Sequence, residues 1–460
     1  MNTDSVVFLS CFLPATVLLH RLIPGKKLRS ALLLAASLLF YSFSGLGGLA
    51  ILLSSAVANY LLARLMAKGL GGKILPGIAI AANLALLIAY KYVNFFLCDV
   101  LGLPQAELSL VAPLGISFFT FKSISYLVDI HRKKHNPGSI LQFLLYVSFF
   151  PQAMAGPITR FGDFCSTLEN PNTSFDTFTQ GLRRFVIGLS KKLLLAAVLG
   201  AAADQVFALT GSELSAALAW VGAVAYLLQI YFDFSGYSDM AIGLGLAFGI
   251  ATPENFCYPY IAPTVGDFWR RWHISLSTWF RDYLYIPLGG NRKGQLRAAL
   301  NKVIVFTLCG IWHGSAWTFL IWGLWHGLFS ALESLLPVKK WVGSIPGRIV
   351  GHIYTLLVVM LGFVMFRAQS IEQGLQVICA MFTGASAIST VVLHQLLTGE
   401  FVFTLLFGAV LCLPIVPWCK ANPKLRRLES VSWIFCAVLF ILCLLKLASG
   451  GFTPFIYAQF

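Results

Sequence analysis

Three histidines stand in surroundings where an ionisable side chain is costly, and residues retained at such cost are functional candidates. His313 lies in Cys309-Gly310-Ile311-Trp312-His313-Gly314-Ser315-Ala316-Trp317, with no charged residue between Lys302 and Glu333. A neutral imidazole there can take a proton from a hydroxyl, and the flanking glycines let a substrate approach. A core histidine bonded to a helix backbone fits the same residues. His326 repeats the Trp-His-Gly triplet in Trp322-Gly323-Leu324-Trp325-His326-Gly327 and reads more simply as a packing residue between helices. His273 belongs to Phe268-Trp269-Arg270-Arg271-Trp272-His273-Ile274-Ser275, where cations framed by tryptophans could hold an anion at the membrane surface. An aromatic belt with snorkelling arginines gives the same pattern. Asp233 and Asp239, in an apolar run with Tyr237, need cationic or hydrogen-bonding partners and read as structural partners for arginines.

Other chemistries find little support. None of these three histidines stands in an HxxxH or HExxH spacing that would offer a metal site, and the ten cysteines lie singly with no CxxC pair. No GxSxG frames a serine nucleophile, since Phe234-Ser235-Gly236 lacks the preceding glycine. Intramembrane His and Asp also build proton relays, so a proton-coupled transporter or flippase without acyl chemistry is the rival reading. Against it, no pair of matched halves with broken helices is visible.

The elements that must carry these groups are membrane helices. Of 460 residues 58% are hydrophobic and 11% charged, a balance no soluble core of this length can bury. Apolar runs of about 17–23 residues recur along the whole chain, each able to cross a hydrocarbon layer. Continuous runs such as Ala31–Phe40 and Trp433–Leu445 contradict the alternation of an outer-membrane barrel. The expected fold is therefore all-α and polytopic, a single membrane domain over residues 1–460 with about 11–13 spans. The net charge of +15 sits in short basic clusters between apolar runs, which argues for cytoplasmic loops and against nucleic acid. Those loops, Lys420–Arg427 among them, put both termini outside. Asp4 and the lack of a basic n-region argue against a cleaved signal peptide. Pro151, Gly156, Pro157 and the glycines of Gly236–Gly249 predict broken or re-entrant helices around an internal cavity. Asp267–Lys302 mixes aromatic and basic residues and predicts an amphipathic or re-entrant segment at the cytoplasmic interface.

The motifs, taken in order, resemble a known family. Phe149-Phe150-Pro151-Gln152-Ala153-Met154-Ala155-Gly156-Pro157-Ile158 is followed by Tyr231-Phe232-Asp233-Phe234-Ser235-Gly236-Tyr237-Ser238-Asp239, then Asn255-Phe256 and the Phe268–Ser277 block. Tyr283-Leu284-Tyr285-Ile286-Pro287-Leu288-Gly289-Gly290-Asn291 and Gly310-Ile311-Trp312-His313-Gly314 complete the series. This succession resembles the membrane-bound O-acyltransferases, in the bacterial branch of alginate and peptidoglycan O-acetyltransferase membrane subunits and the teichoic-acid D-alanyl transferase. It covers about residues 110–330 strongly and the terminal spans loosely.

The resemblance implies His313 as the catalytic histidine and His273 as the second polar position, both approaching a central tunnel between the two membrane faces. Arg270, Arg271, Trp269, Trp312, Asn255, Asp233 and Asp239, which lie within or beside these motifs, are the substrate-binding candidates. The ending Phe455-Ile456-Tyr457-Ala458-Gln459-Phe460, within the C-terminal span and tail 431–460, is similar to a motif whose tyrosine receives an acyl group, which casts Tyr457 as a relay. No tightly bound cofactor or metal is implied. The donor would be acetyl-CoA or an acyl carrier protein thioester on the cytoplasmic side. Arg270, Arg271, Arg281, Arg292, Lys293 and Arg297 would either meet the donor's anionic groups or serve topology alone. The acceptor would be a cell-envelope polysaccharide, reached with an extracytoplasmic SGNH-type transferase, in a bacterial inner membrane whose lipids surround the protein. D-alanyl transfer to teichoic acid is the alternative.

Overall fold

The computed structural model describes residues 3–103, 108, 110–209, 213–383, 387–422 and 432–450. Tyr457 and the basic residues Lys424, Arg426 and Arg427 lie outside them. Every extended element among the described residues is a helix, and five helices are long and apolar enough to cross a membrane: Leu46–Ala67, Ile74–Lys91, Phe175–Phe207, Ala216–Ala247 and Ile345–Arg367. Phe8–Leu22, Gly399–Leu411 and Ser432–Ala448 are shorter apolar helices. The chain is a multi-pass membrane protein.

It divides into two compact units, Met1–Phe185 with Tyr237–Glu254, and Val186–Gly236 with Asn255–Phe460. Within the first unit, buried polar groups satisfy one another. Asn59 and Asn83, on the helices Leu46–Ala67 and Ile74–Lys91, exchange amide hydrogen bonds at 3.1 and 2.7 Å. Lys122 on the helix Ile116–His131 is buried and donates Nζ to the Tyr146 carbonyl at 2.9 Å and to Gln152 Oε1 at 3.2 Å. Gln152 passes its amide on to Thr159 and Thr252, both at 3.1 Å. The chain breaks here as Pro151 leads one to expect. The helix Ile140–Ser148, opened by a reciprocal Ser139/Gln142 cap, gives way to a single 3₁₀ turn over Phe150–Gln152 and then to irregular backbone.

The glycines of Gly236–Gly249 do not break a helix. Ala216–Ala247 runs unbroken for 32 residues. Glycine weakens a helix in water by exposing its backbone to solvent, but hydrocarbon offers the backbone no alternative partner, so the helix persists. What these glycines supply is closeness between backbones. In the first unit a Cβ on Gly243 would meet the Gly181 carbonyl at 2.5 Å and Phe185 N at 2.6 Å. In the second unit a Cβ on Gly236 would meet the Gly188 carbonyl at 2.7 Å. Small residues at such contacts are what helix association in lipid uses, because apolar burial drives nothing there.

The facing helix, Phe175–Ser190, continues through a π-helical stretch, Lys191–Ala196, into Ala197–Phe207. Lys192 sits in that stretch and its Nζ meets Asp233 Oδ1 at 2.8 Å, an ion pair buried at both ends. The segment Asp267–Lys302 forms short helices, Val265–Arg271 and Ile274–Phe280, the second continued by a π-helical stretch, Arg281–Tyr285, together too brief to span, and then turns. The next helix begins at Gln295, earlier than the apolar run from Val303 suggests.

Replacing Gly243 with valine should lower the thermal midpoint of the detergent-purified protein by about 1–3 °C, since overpacking costs on the order of 1–3 kcal/mol and the shift per kcal/mol shrinks with chain length. Gly47→Ala, where a Cβ meets nothing within 4 Å, should shift it little. Equal midpoints for the two variants would show that the Gly181–Gly243 approach does not hold the helices together.

Candidate active site

The second unit builds its site on a helical hairpin. Gln295–His313 and Trp317–Leu335 are joined by Gly314-Ser315-Ala316, and their axes come close because glycines face one another. A Cβ on Gly310 would lie 2.3 Å from the Phe319 carbonyl, and one on Gly323 would lie 2.5 Å from the Phe306 carbonyl. His313 is the last residue of its helix, so its side chain sits where the chain turns away and other elements can approach. It is buried, and its ring is met edge-on by Trp312, Trp322 and Phe366 at centroid distances of 4.9, 5.1 and 5.5 Å. Phe366 comes from the helix Ile345–Arg367, capped by Ser344 with Pro346 in its first turn.

His273 is placed by strain and by one amide. Its backbone lies in the left-handed region at φ 43°, which is uncommon for a residue other than glycine, at the position just ahead of Ile274–Phe280. Asn255 then fixes the ring. Asn255 Oδ1 accepts from Ser275 N at 3.1 Å and from Ser275 Oγ at 2.9 Å, which identifies this atom as the oxygen. The same oxygen lies 3.2 Å from His273 Nδ1. An oxygen already receiving two donors can only accept, so Nδ1 carries the proton and the neutral ring presents a bare Nε2. Nε2 is buried and has no hydrogen-bond partner among the described residues. The Phe234 ring stands edge-on at 4.6 Å, and the Trp312 ring, at 6.4 Å, is the neighbour that His273 shares with His313.

Trp269 packs against Trp322 at 5.6 Å and His326 at 5.0 Å, and also lines a cavity of about 200 Å³. That cavity is walled by Leu276, Phe280, Phe306 and Cys309, one helical turn before His313, and carries Arg281, Tyr285 and Lys302. The expected basic face is thus only partly engaged with it. Arg271 Nε bonds Asp267 Oδ2 at 2.8 Å and Arg270 Nη2 reaches Asp267 Oδ1 at 3.3 Å, while Arg281 lines the cavity with Lys302, a residue the sequence reading passed over.

His273, His313, Trp312, Trp269 and Asn255 therefore gather in one unit. The two aspartates part company. Asp233 pairs with Lys192, a lysine where an arginine was expected, and Asp239 lies in the first unit with Arg184, Nη2 to Oδ1 2.9 Å, beside Glu254. His326 is fully buried, with both ring nitrogens lacking a hydrogen-bond partner among the described residues. Trp322 stands 5.1 Å from both His313 and His326, and in the sequence it is marked only by lying three residues ahead of the triplet Trp325-His326-Gly327. Phe366 carries no local signal at all, because only the third helix brings it in.

The membrane-bound O-acyltransferase family model matches residues 116–371. The probable alginate O-acetylase AlgI of Pseudomonas putida is 37% identical over the full length of both chains. The peptidoglycan O-acetyltransferase of Helicobacter pylori is 36% identical over 76% of this chain and 73% of its own. The teichoic acid D-alanyltransferase of Bacillus subtilis is 30% identical over 51% of this chain and 63% of its own. With all five assembled residues inside the matched span, the chain belongs to the membrane-bound O-acyltransferase family.

Proposed function

We propose that this protein moves an acetyl group from a cytoplasmic thioester to a hydroxyl destined for a cell-envelope polysaccharide, in a bacterial inner membrane. The observation that carries the reading is the pairing of the aromatic-walled His313 with a cavity that is apolar along Phe280, Phe306 and Cys309 and cationic at Arg281 and Lys302. A thioester arm ending in anionic phosphate groups, whether on coenzyme A or on a carrier protein, has that same division of character. The names of the full-length and three-quarter-length relatives favour acetyl over D-alanyl transfer.

In this reading His313 takes the proton of the attacking hydroxyl as its oxygen bonds to the thioester carbonyl carbon. The carbon–sulfur bond then breaks and the proton returns to the leaving thiolate, which departs as a thiol. The aromatic wall keeps water from competing as nucleophile. His273, with its bare Nε2, holds a donor hydrogen of the substrate. Asp233 holds the helix Ala216–Ala247 against the stretch Lys191–Ala196 through Lys192, whereas Asp239 makes its ion pair with Arg184 in the first unit. Tyr457 supplies the first accepting hydroxyl, because a phenol gives an aryl ester from which the acyl group passes readily to a second acceptor on an extracytoplasmic transferase of SGNH type or to the sugar itself.

CoA release from acetyl-CoA by purified protein tests the reaction. His313→Ala should lower it by about 10²–10⁴-fold while the protein still purifies as wild type does. His273→Ala and Asn255→Ala should each cause a smaller loss, and combining them should add little beyond the larger of the two, because one positions the other. Wild-type turnover in His313→Ala would sink the assignment.

Donor affinity should respond to salt. If Arg281 and Lys302 meet phosphates, raising ionic strength from about 0.05 to 0.5 M should raise the apparent KM for the donor with little change in kcat. Arg281→Gln with Lys302→Gln should flatten that dependence. A KM indifferent to both leaves those cations a purely topological role.

Tyr457→Phe retains the ring and removes the hydroxyl. Polymer acetylation should fall to background in cells, and mass spectrometry of wild-type protein quenched with donor should find an acylated C-terminal peptide. Full acetylation in that variant means the acyl group passes directly to the acceptor.

A further inference from the structure

The first unit holds a second ligand-binding feature that the acyl chemistry does not use. We propose that a crevice at the start of the helix Lys26–Ser42 binds the phosphate group of an anionic ligand, either a phospholipid headgroup or a soluble phosphate. His20, Ser30, Leu33 and Phe248 form its buried floor, and Lys26 and Arg29 stand at its rim. Its free space is about 10 Å³, room for one water-sized group such as a single phosphate oxygen, with the remaining oxygens left at the rim.

The charged side chains that line this space, Lys26 and Arg29, are both cationic. The helix is 17 residues long and starts at Gly25 with no side-chain cap and no acidic residue in its first turn. The positive end of its dipole would ordinarily draw a carboxylate. Here Lys26, Lys27 and Arg29 occupy that turn instead, with Arg21 just before it. None of the four is ion-paired among the described residues. Their hydrogen bonds go to backbone carbonyls: Arg21 Nη1 to Thr173 at 2.8 Å, Lys26 Nζ to Glu169 at 2.6 Å and Arg29 Nε to Ile23 at 2.9 Å. The Glu169 carboxylate accepts from Gln142 Nε2 at 3.2 Å. The charge of the cluster is therefore held in place without being neutralised.

The second observation is independent of the helix end. His20 is 3% exposed, lines the crevice and makes no hydrogen bond among the described residues, its ring resting against Phe248 at 5.2 Å. A buried polar ring left without a partner is costly unless a ligand completes it. An imidazole N–H below with an ammonium and a guanidinium above form a dispersed set of donors. That set suits a tetrahedral oxyanion and offers nothing to a cation.

The test uses full-length protein in nanodiscs of zwitterionic lipid, titrated with inorganic phosphate at constant ionic strength and followed by phosphorus NMR. Wild type should bind one phosphate saturably. Lys26→Gln and Arg29→Gln should each weaken binding about tenfold or more, and the double variant about a hundredfold or more, since a hydrogen bond to a charged group contributes about 1.5–3 kcal/mol, converted at about 1.4 kcal/mol per tenfold. Lys27→Gln, off the crevice, should bind as wild type. Native mass spectrometry from nanodiscs containing phosphatidylglycerol separates the sources. One retained lipid, displaced by phosphate and lost in the double variant, supports the headgroup form; phosphate binding without retained lipid supports the soluble form. Unsaturable phosphate uptake, or equal phosphate and lipid binding by wild type and the double variant, overturns the proposal. CoA release does not enter either readout, so failure here leaves the acyltransfer reading untouched.

Discussion

Hydrocarbon supplies no hydrogen bonds, and that single constraint explains most of what this chain does with its few polar residues. A charged or polar side chain placed among apolar helices must find its partner inside the protein or carry a cost of several kcal/mol. Lys192 and Asp233 meet it as a buried ion pair. Asn59 and Asn83 meet it by exchanging amides. Lys122 meets it with a carbonyl and an amide oxygen, and Gln152 hands the demand on to two threonines. Breaking one member of such a set strands the others, so the polar groups fix helix positions more narrowly than apolar packing can.

The same constraint shapes the site. A helix interior keeps its own backbone satisfied and so leaves little for a substrate. The candidate catalytic groups fall where helices end: His313 closes one helix and His273 precedes another. Ending a helix at membrane depth is tolerable only if protein surrounds it. Trp312, Trp322 and Phe366 surround His313, and Asn255, with its oxygen receiving three contacts, secures the segment around His273. The glycines at 310 and 323 make this possible from the other side, since only closely packed backbones leave space for three large rings at the hairpin's end.

Much of this was legible in the sequence because local pattern carried it. A histidine in a long uncharged run, bracketed by glycines and tryptophans, announces both its burial and its rarity. The aromatic and basic composition of Asp267–Lys302 likewise announced short, non-spanning helices. Illegible features were those decided by pairing at a distance. Glycine looks the same whether it ends a helix or lets another helix near, so Gly236–Gly249 read as a break when it is a contact surface. Lys192 is separated from Asp233 by a loop and most of two helices, and a π-helical stretch that no periodicity reveals aims it. Phe366 and Lys302 join the site through helix packing, which composition does not encode.

An acyl group on sulfur needs little activation, so the enzyme's harder task is to decide which oxygen receives it. Water is the abundant competitor, and a base open to solvent would hydrolyse the donor as fast as it transferred the acyl group. A histidine ringed by three aromatic side chains can serve only a hydroxyl that is delivered to it. In the proposed reaction the bare Nε2 of His273 would favour an acceptor that donates a hydrogen bond at that position over one that cannot. Selection by an unmet acceptor discriminates more sharply than selection by apolar fit. The buried polarity that the membrane makes expensive would thereby orient the acceptor, while the aromatic wall is what keeps solvent away in the proposed reaction.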